Sequence, residues 1–129
     1  MKKLTALVVD DEVDMCWALE KIIQEEGIET HSAYTAQDAL NMLKKRKTLS
    51  LVFVDIRLPD MNGLDLARTI RLFYPQTFII LISGYYYKDD PVIKADLGDI
   101  FIGFIEKPFD LKEIRQMLKK ALPTIEKIP

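Results

Sequence analysis

Short apolar runs alternate with stripes of helical period along the whole chain. The first run, residues 4–9, ends in the β-branched pair Val8-Val9 and stops at Asp10-Asp11. From Asp14, apolar side chains fall at Met15, Ala18, Leu19, Ile22 and Ile23, the i, i+3, i+4, i+7, i+8 spacing of one helix face. Gly27 supplies the stop. Residues 28–34 alternate polar and apolar, as in a weaker strand near a sheet edge. Thr35 and Asp38 form a capping-box-like start, and Ala36, Ala39, Leu40 and Leu43 make the face of a second helix. Its basic end, Lys44 to Lys47, lies where a helix favours cations, and reads as a solvated terminus rather than a nucleic-acid patch.

The second half continues the alternation. Residues 49–54 are apolar without interruption up to Asp55, as in a strand buried on both faces. Leu58-Pro59-Asp60-Met61-Asn62-Gly63 is dense in turn residues. A third helix follows, with Leu66, Ile70 and Phe73 expected inward and Pro75 at its end. Residues 77–82 predict a fourth strand, stopping at Ser83-Gly84. Asp90 and Pro91 read as an N-cap and a first helical position of a short helix, 91–97, closed by Gly98. Residues 101–105 give a fifth strand. Asp110 and Glu113 repeat the capping spacing, and Ile114, Met117, Leu118 and Ala121 form the last stripe. Pro123 is expected to end that helix. Strict alternation of strand and helix predicts a (βα)5 unit, a parallel sheet with helices on both faces. Residues 1–122 are expected to be one domain, with 123–129 as a tail or the start of a linker.

Composition narrows the class. The 129 residues are 49% hydrophobic and 29% charged, enough for one domain with a real core, which sets aside disorder and a disulfide-dependent mini-protein. Eighteen Lys and Arg against 20 Asp and Glu leave a formal charge of −2, so neither nucleic acid nor an anionic membrane is expected as a partner of this chain. The single Cys16 suits a reducing compartment and reads as a small apolar group on a helix. No apolar run approaches the roughly 18 residues of a membrane span. The basic start is interrupted by Asp10, Asp11 and Glu12, which is not the pattern of a signal peptide. The cytoplasm is the expected location.

In an open parallel sheet, ligands bind beyond the carboxyl ends of the strands. The residues predicted there are Asp10 and Asp11, Asp55, Ser83 and Lys107. Each alone is an ordinary strand terminus or helix cap; five at one edge make a site. Converging carboxylates repel unless a cation neutralises them. Oxygen donors without a Cys or His cluster point to a hard ion, Mg2+ in particular. A dication and an ammonium around one carboxylate suit phosphoryl transfer, with Asp as the nucleophile and Ser83 as a hydrogen-bond donor to the phosphoryl oxygen.

These pieces resemble the receiver domains of two-component response regulators. The resemblance is carried by Val8-Val9-Asp10-Asp11-Glu12, by Val54-Asp55-Ile56-Arg57-Leu58-Pro59-Asp60-Met61-Asn62-Gly63, by Leu81-Ile82-Ser83-Gly84 and by Glu106-Lys107-Pro108-Phe109. They come in family order, with a flavour closest to nitrogen-regulatory-type receivers. The resemblance implies a flavodoxin-like three-layer sandwich with strand order 2-1-3-4-5. It implies that Asp55 accepts phosphate from a histidine kinase, a phosphotransfer protein or a small acyl phosphate. Mg2+ would be held by Asp11, Asp55 and the Arg57 carbonyl, with Asp10 acting through a water. Lys107 would pair with the phosphoryl group across a cis Lys107–Pro108 peptide. Ser83 and Phe104 would be the switch residues, acting on the face made by the fourth helix, fifth strand and fifth helix. Arg57 and Tyr85 would tune phosphate lifetime. The module would be a phosphoprotein with autodephosphorylation at most, not a turnover enzyme, and the phosphorylated form is a candidate homodimer. Any DNA-binding effector would lie beyond Pro129.

One departure stands out. Ser83 and Lys107 are 24 residues apart, about two more than the family pattern, so the fourth helix is expected to be short or displaced. Tyr85-Tyr86-Tyr87 reads as packing over the site rim or as a partner patch. His31 has no second imidazole in the chain and is not read as a ligand. Trp17 reads as packing, and Asp60 and Asp65 as turn and helix-start residues. Two rival classes fit less well. A haloacid-dehalogenase-like phosphatase needs a general acid two residues after its nucleophile, where this chain has Arg57. A flavin binder needs a phosphate cradle after the first strand, where Asp10-Asp11-Glu12 would repel the phosphate. A receiver that has lost phosphorylation would lack site residues that are all present here.

Overall fold

The computed structural model describes residues 3–46, 49–84 and 90–126. Ten main elements alternate: β1 (Thr5–Val9), α1 (Val13–Glu25), β2 (Glu29–Ala33), α2 (Ala36–Lys45), β3 (Leu51–Asp55), α3 (Gly63–Phe73), β4 (Phe78–Ser83), α4 (Pro91–Leu97), β5 (Phe101–Glu106) and α5 (Leu111–Glu126). A 3-10 turn, Gly98–Ile100, joins α4 to β5. All strand pairs are parallel and the sheet order is β2-β1-β3-β4-β5. This is the flavodoxin-like α/β arrangement that the alternation and the resemblance predict. The apolar composition of β3 and β4 follows from their place: every residue of both is buried. The alternating β2 is the edge strand next to β1.

Two apolar layers flank the sheet. One packs Ala36, Ala39 and Leu43 of α2, Leu66 and Ile70 of α3, and Leu97 of α4 against the sheet. The other packs Leu19 and Ile23 of α1 with Ile114 and Leu118 of α5. Because all strands run the same way, their carboxyl ends share one edge, and the residues at the ends of β1, β3, β4 and β5 lie along it. No helix among the described residues is long and apolar enough to cross a membrane.

Four sequence expectations need correction. Phe73 is 67% exposed, because Tyr74, four residues after the buried Ile70, takes the inward place instead. Trp17 is 61% exposed and does not pack into the core; it sits one residue off the Cys16 stripe, with the Lys21 ammonium 5.2 Å from its ring. Pro123 does not end α5, which continues to Glu126, since Ile125 completes the stripe after Leu118 and Ala121 and is buried. The first residues of the expected tail, 123–126, therefore belong to the end of α5. The fourth helix is short, as expected, at seven residues. A register shift also appears in β5, where Ile79 pairs with Phe101 but Ile80 with Gly103. Ile102 is thus an extra residue upstream of Phe104, in the stretch where the chain exceeds the family pattern. Tyr85, Tyr86 and Tyr87 lie outside the described residues.

Candidate functional site

The site is assembled where four strands end. Asp10 follows β1 directly, and its N–H donates to the Ala33 carbonyl of β2 at 3.1 Å, which continues the sheet ladder into the loop. Its side chain is fully buried, and Oδ1 accepts from the Glu12 N–H at 2.9 Å. Asp55 is the last residue of β3 and is 4% exposed. Its Oδ1 accepts from the Arg57 N–H at 3.0 Å, which orients the carboxylate and leaves Oδ2 turned to Lys107. Ser83 closes β4, buried, and its carbonyl accepts from the Lys107 N–H at 2.8 Å. Lys107 follows β5, and the Lys107–Pro108 peptide is cis, as the resemblance implied.

The Lys107 ammonium stands at the centre. It lies 3.0 Å from Asp55 Oδ2, 3.1 Å from Asp10 Oδ2 and 2.9 Å from Glu12 Oε1. The structure thus brings together Asp10, Asp11, Asp55 and Lys107. It adds Glu12, to which the sequence assigned no separate role. The signal for Glu12 was present as a third acid in the run Asp10-Asp11-Glu12 at the entry of α1. Arg57 opens the loop after Asp55. Phe104 lies in β5 opposite Leu81, buried, with its ring edge-to-face on Phe101 at 5.1 Å. A groove of about 550 Å3 opens between α4 and α5, lined by Lys94, Phe101, Gly103, Phe104 and Met117 among others.

The electrostatics are unbalanced. Asp10, Asp11, Glu12 and Asp55 each place an oxygen within 4.8 Å of the others, and among the described residues one ammonium, that of Lys107, stands in their midst. Asp10 Oδ2 is buried and makes no hydrogen bond of acceptable geometry, although the ammonium is near. A buried carboxylate oxygen left in that state is costly unless a cation completes it. The donor set, all oxygen, suits a hard dication such as Mg2+. Burial pushes the Asp10 carboxyl up to about 6; the Glu12 N–H opposes the rise, the Asp55 charge adds to it, and Lys107 opposes it. Burial alone would lower the Lys107 ammonium, but its hydrogen bonds to Glu12 and Asp55, with the Asp10 charge beside it, more than reverse that and hold it above its ordinary value.

A pH dependence follows. Asp10 is raised above its unfolded value, so in metal-free protein its contribution to stability is fully present below about pH 4. That contribution is lost as pH rises through about 6. A dication held by this cluster would need Asp10 ionised, so its affinity would move the opposite way. Calorimetric titration is expected to show affinity falling steadily below about pH 6, approaching about tenfold per unit. A flat affinity between about pH 7.5 and about pH 5 would contradict this assignment.

The remaining candidates resolve simply. Cys16 is buried and donates to the Asp10 carbonyl at 3.2 Å, and burial, then the Asp10 charge, pushes its thiol up to about 11. It stays protonated, the packing role expected of it. His31 sits on edge strand β2 against Glu29 at 3.1 Å, in no metal cluster among the described residues. Asp65 lies in the first turn of α3 and pairs with Arg68 at 2.9 Å. Asp60 belongs to a turn, but its carboxylate also bonds the first amides of α2, a contact that no local pattern signals.

Comparison with known proteins agrees with this geometry. The profile described as "response regulator receiver domain" matches residues 6–119. The response regulator protein PilR of Pseudomonas aeruginosa is 35% identical over all of this chain and 29% of its own length. The DNA-binding transcriptional regulator NtrC of Proteus hauseri is 31% identical over 95% of this chain and 25% of its own length. The chain therefore spans less than a third of these two relatives. The solved structure of a CheY-like response regulator receiver domain protein from Methanospirillum hungatei superposes with a TM-score of 0.86 at 26% identity. That match covers 99% of this chain and 100% of that one.

Proposed function

The chain belongs to the response regulator receiver domain family, and from that premise we propose that Asp55 is its phosphoacceptor. Two-component, phosphorelay signalling is the work of this family, whose receivers meet histidine kinases or phosphotransfer proteins. The observation that carries the assignment is the state of the Asp55 carboxylate. Oδ1 is tied to the Arg57 N–H, while Oδ2 faces Lys107 at the mouth of the acidic cluster.

Oδ2 is then the attacking atom. It forms the new O–P bond as the donor's P–N or P–O bond breaks, and the leaving group departs with that electron pair. The Lys107 ammonium exchanges carboxylate contacts for a phosphoryl oxygen, and the Ser83 hydroxyl donates to another. Asp10 (through a water), Asp11, Asp55 and the Arg57 carbonyl would hold Mg2+, which when bound offsets the charge shared between phosphoryl group and carboxylates. Asp55 stays modified until its acyl phosphate is hydrolysed, so the domain works as a signalling module with autodephosphorylation at most, not as a turnover enzyme. Ser83 and Phe104 report the modification to the α4–β5–α5 face, by shifting an existing equilibrium. That face would bind a partner or a second phosphorylated copy, in the cytoplasm and without nucleic acid contacts from these residues.

Intact-mass spectrometry after incubation with acetyl phosphate and Mg2+ tests the reading. Wild type is expected to gain one phosphoryl group, to gain none when EDTA removes the cation, and to gain none as Asp55→Asn. Equal uptake by Asp55→Asn would sink the assignment. Sustained release of phosphate from general monoesters would favour the phosphatase class instead.

A further inference from the structure

The loop that follows Asp55 is tied at its base and at its tip by different means. At the base, the Gly63 N–H donates to the Ile56 carbonyl at 2.7 Å, and the backbones of Arg57 and Asn62 pair as an antiparallel bridge. Asn62 also accepts from the Leu64 N–H at 2.8 Å, which caps α3. At the tip, Asp60 reaches out to another element. Its Oδ1 accepts from the Ala36 N–H at 2.9 Å and its Oδ2 from the Gln37 N–H at 3.0 Å, the first two amides of α2. Helix α2 has its own cap as well: Thr35 accepts from the Asp38 N–H with its hydroxyl at 3.1 Å and from the Ala39 N–H with its carbonyl at 3.2 Å.

Of those two α2 amides, that of Gln37 lies at the surface, where water would satisfy it, but Ala36 is buried and its amide depends on the Asp60 carboxylate. The Asp60 contact therefore completes the start of α2 and fixes the loop at the same time. Between the bridge residues Arg57 and Asn62 the chain runs through four residues, Leu58 to Met61. Leu58 and Met61 lean on the α2–α3 side of the core, and Asp60 fixes the turn between them. The two amides also hold the Asp60 carboxyl below its ordinary value, so the contact persists across neutral pH. A loop fixed before a ligand arrives does not lose that conformational freedom again on binding.

We propose that Asp60 is a positioning residue for the cation site: by bridging the loop after β3 to the first turn of α2, it holds the Arg57 backbone in place as a ligand. The inference rests on the cation reading given above. The test is calorimetric titration of the full chain with magnesium chloride, for wild type, Asp60→Ala, Asp60→Asn and Thr35→Ala. Asp60→Ala is expected to bind Mg2+ about tenfold more weakly, with a less favourable entropy. Asp60→Asn keeps one carbonyl oxygen for the α2 amides and is expected to recover part of the loss. Thr35→Ala weakens the α2 cap but leaves the loop alone; it is expected to melt earlier and to bind Mg2+ as wild type does. Asp60→Ala binding within about twofold of wild type would overturn the inference, and so would an equal loss in Thr35→Ala, which would trace the effect to helix stability. Wild type that binds no Mg2+ would overturn the cation reading itself, and this inference with it.

Discussion

Gly63→Ala is expected to cost the domain both stability and phosphorylation, although Gly63 makes no side-chain contact and its backbone is unstrained. Gly63 opens α3 directly beneath the end of β3. A Cβ added there would stand 2.0 Å from the Asp55 carbonyl oxygen, 2.6 Å from the Ile56 Cα and 2.8 Å from the Asp55 carbonyl carbon. All three are backbone atoms, so no side chain can turn aside to make room. Either α3 moves off the sheet or the end of β3 bends. The first opens the layer that Leu66 and Ile70 fill, and the second displaces the Asp55 carboxylate itself. Overpacking of this kind costs about 3 kcal/mol, and a misplacement of about 1 Å at a reacting group costs about a hundredfold in rate. Chemical denaturation and the rate of mass gain from acetyl phosphate measure the two effects. Gly103→Ala is the comparison: its Cβ would meet only the Met117 methyl at 3.5 Å, an ordinary contact, so stability and rate should stay near wild type. Wild-type phosphorylation in Gly63→Ala would show that the close approach does not hold Asp55.

The acidic site was legible in the sequence because it depends on topology more than on detail. Once 4–9, 49–54, 77–82 and 101–105 read as parallel strands, Asp10, Asp55, Ser83 and Lys107 had to share one sheet edge. The expectations that failed were choices between neighbours that a local period cannot rank. Phe73 and Tyr74 both follow Ile70 at helical spacing, and packing alone decided for Tyr74. Trp17 is a quarter-turn from Cys16, so hydrophobicity suggested burial where the helix phase gives solvent. Pro123 carries a strong local stop signal, yet the burial of Ile125 one turn after Ala121 outweighs it. The Asp60 bridge to α2 and the Lys107 contact with Glu12 span 24 and 95 positions. Contacts at such separations follow from the finished fold, not from any window of sequence. The register shift in β5 is of the same kind: only the pairing with β4 shows that Ile102 is skipped in the ladder.

Lys107→Ala is expected to separate three roles that the ammonium combines. The first is structural. Its removal leaves the buried Asp10 and Asp55 facing each other, and breaking a buried charge cluster from one side costs about 3 kcal/mol. Glu12, whose side chain is 60% exposed, adds little to that figure because solvent screens it. The loss is expected to be larger near pH 8 than near pH 5, since Asp10 can escape the repulsion by holding its proton, which burial already favours. Millimolar Mg2+ should restore part of the stability at the higher pH by replacing the missing charge, and denaturation curves at both pH values with and without Mg2+ measure this directly. The second role is chemical, and its loss should be partial: Asp55 and the acidic cluster remain, so phosphoryl uptake is slowed but not abolished. The third is transmission. On the proposed reading, alanine leaves nothing to follow the phosphoryl group, so β5 would receive no pull from a modified Asp55 and Phe104, three residues upstream, would keep its place. Amide hydrogen exchange in α4 and β5 is therefore expected to respond to phosphorylation in wild type and to stay unchanged in Lys107→Ala carrying the same phosphoryl load. An exchange response equal to that of wild type would mean that the signal leaves Asp55 by another route, with the Ser83 hydroxyl at the end of β4 the first to test.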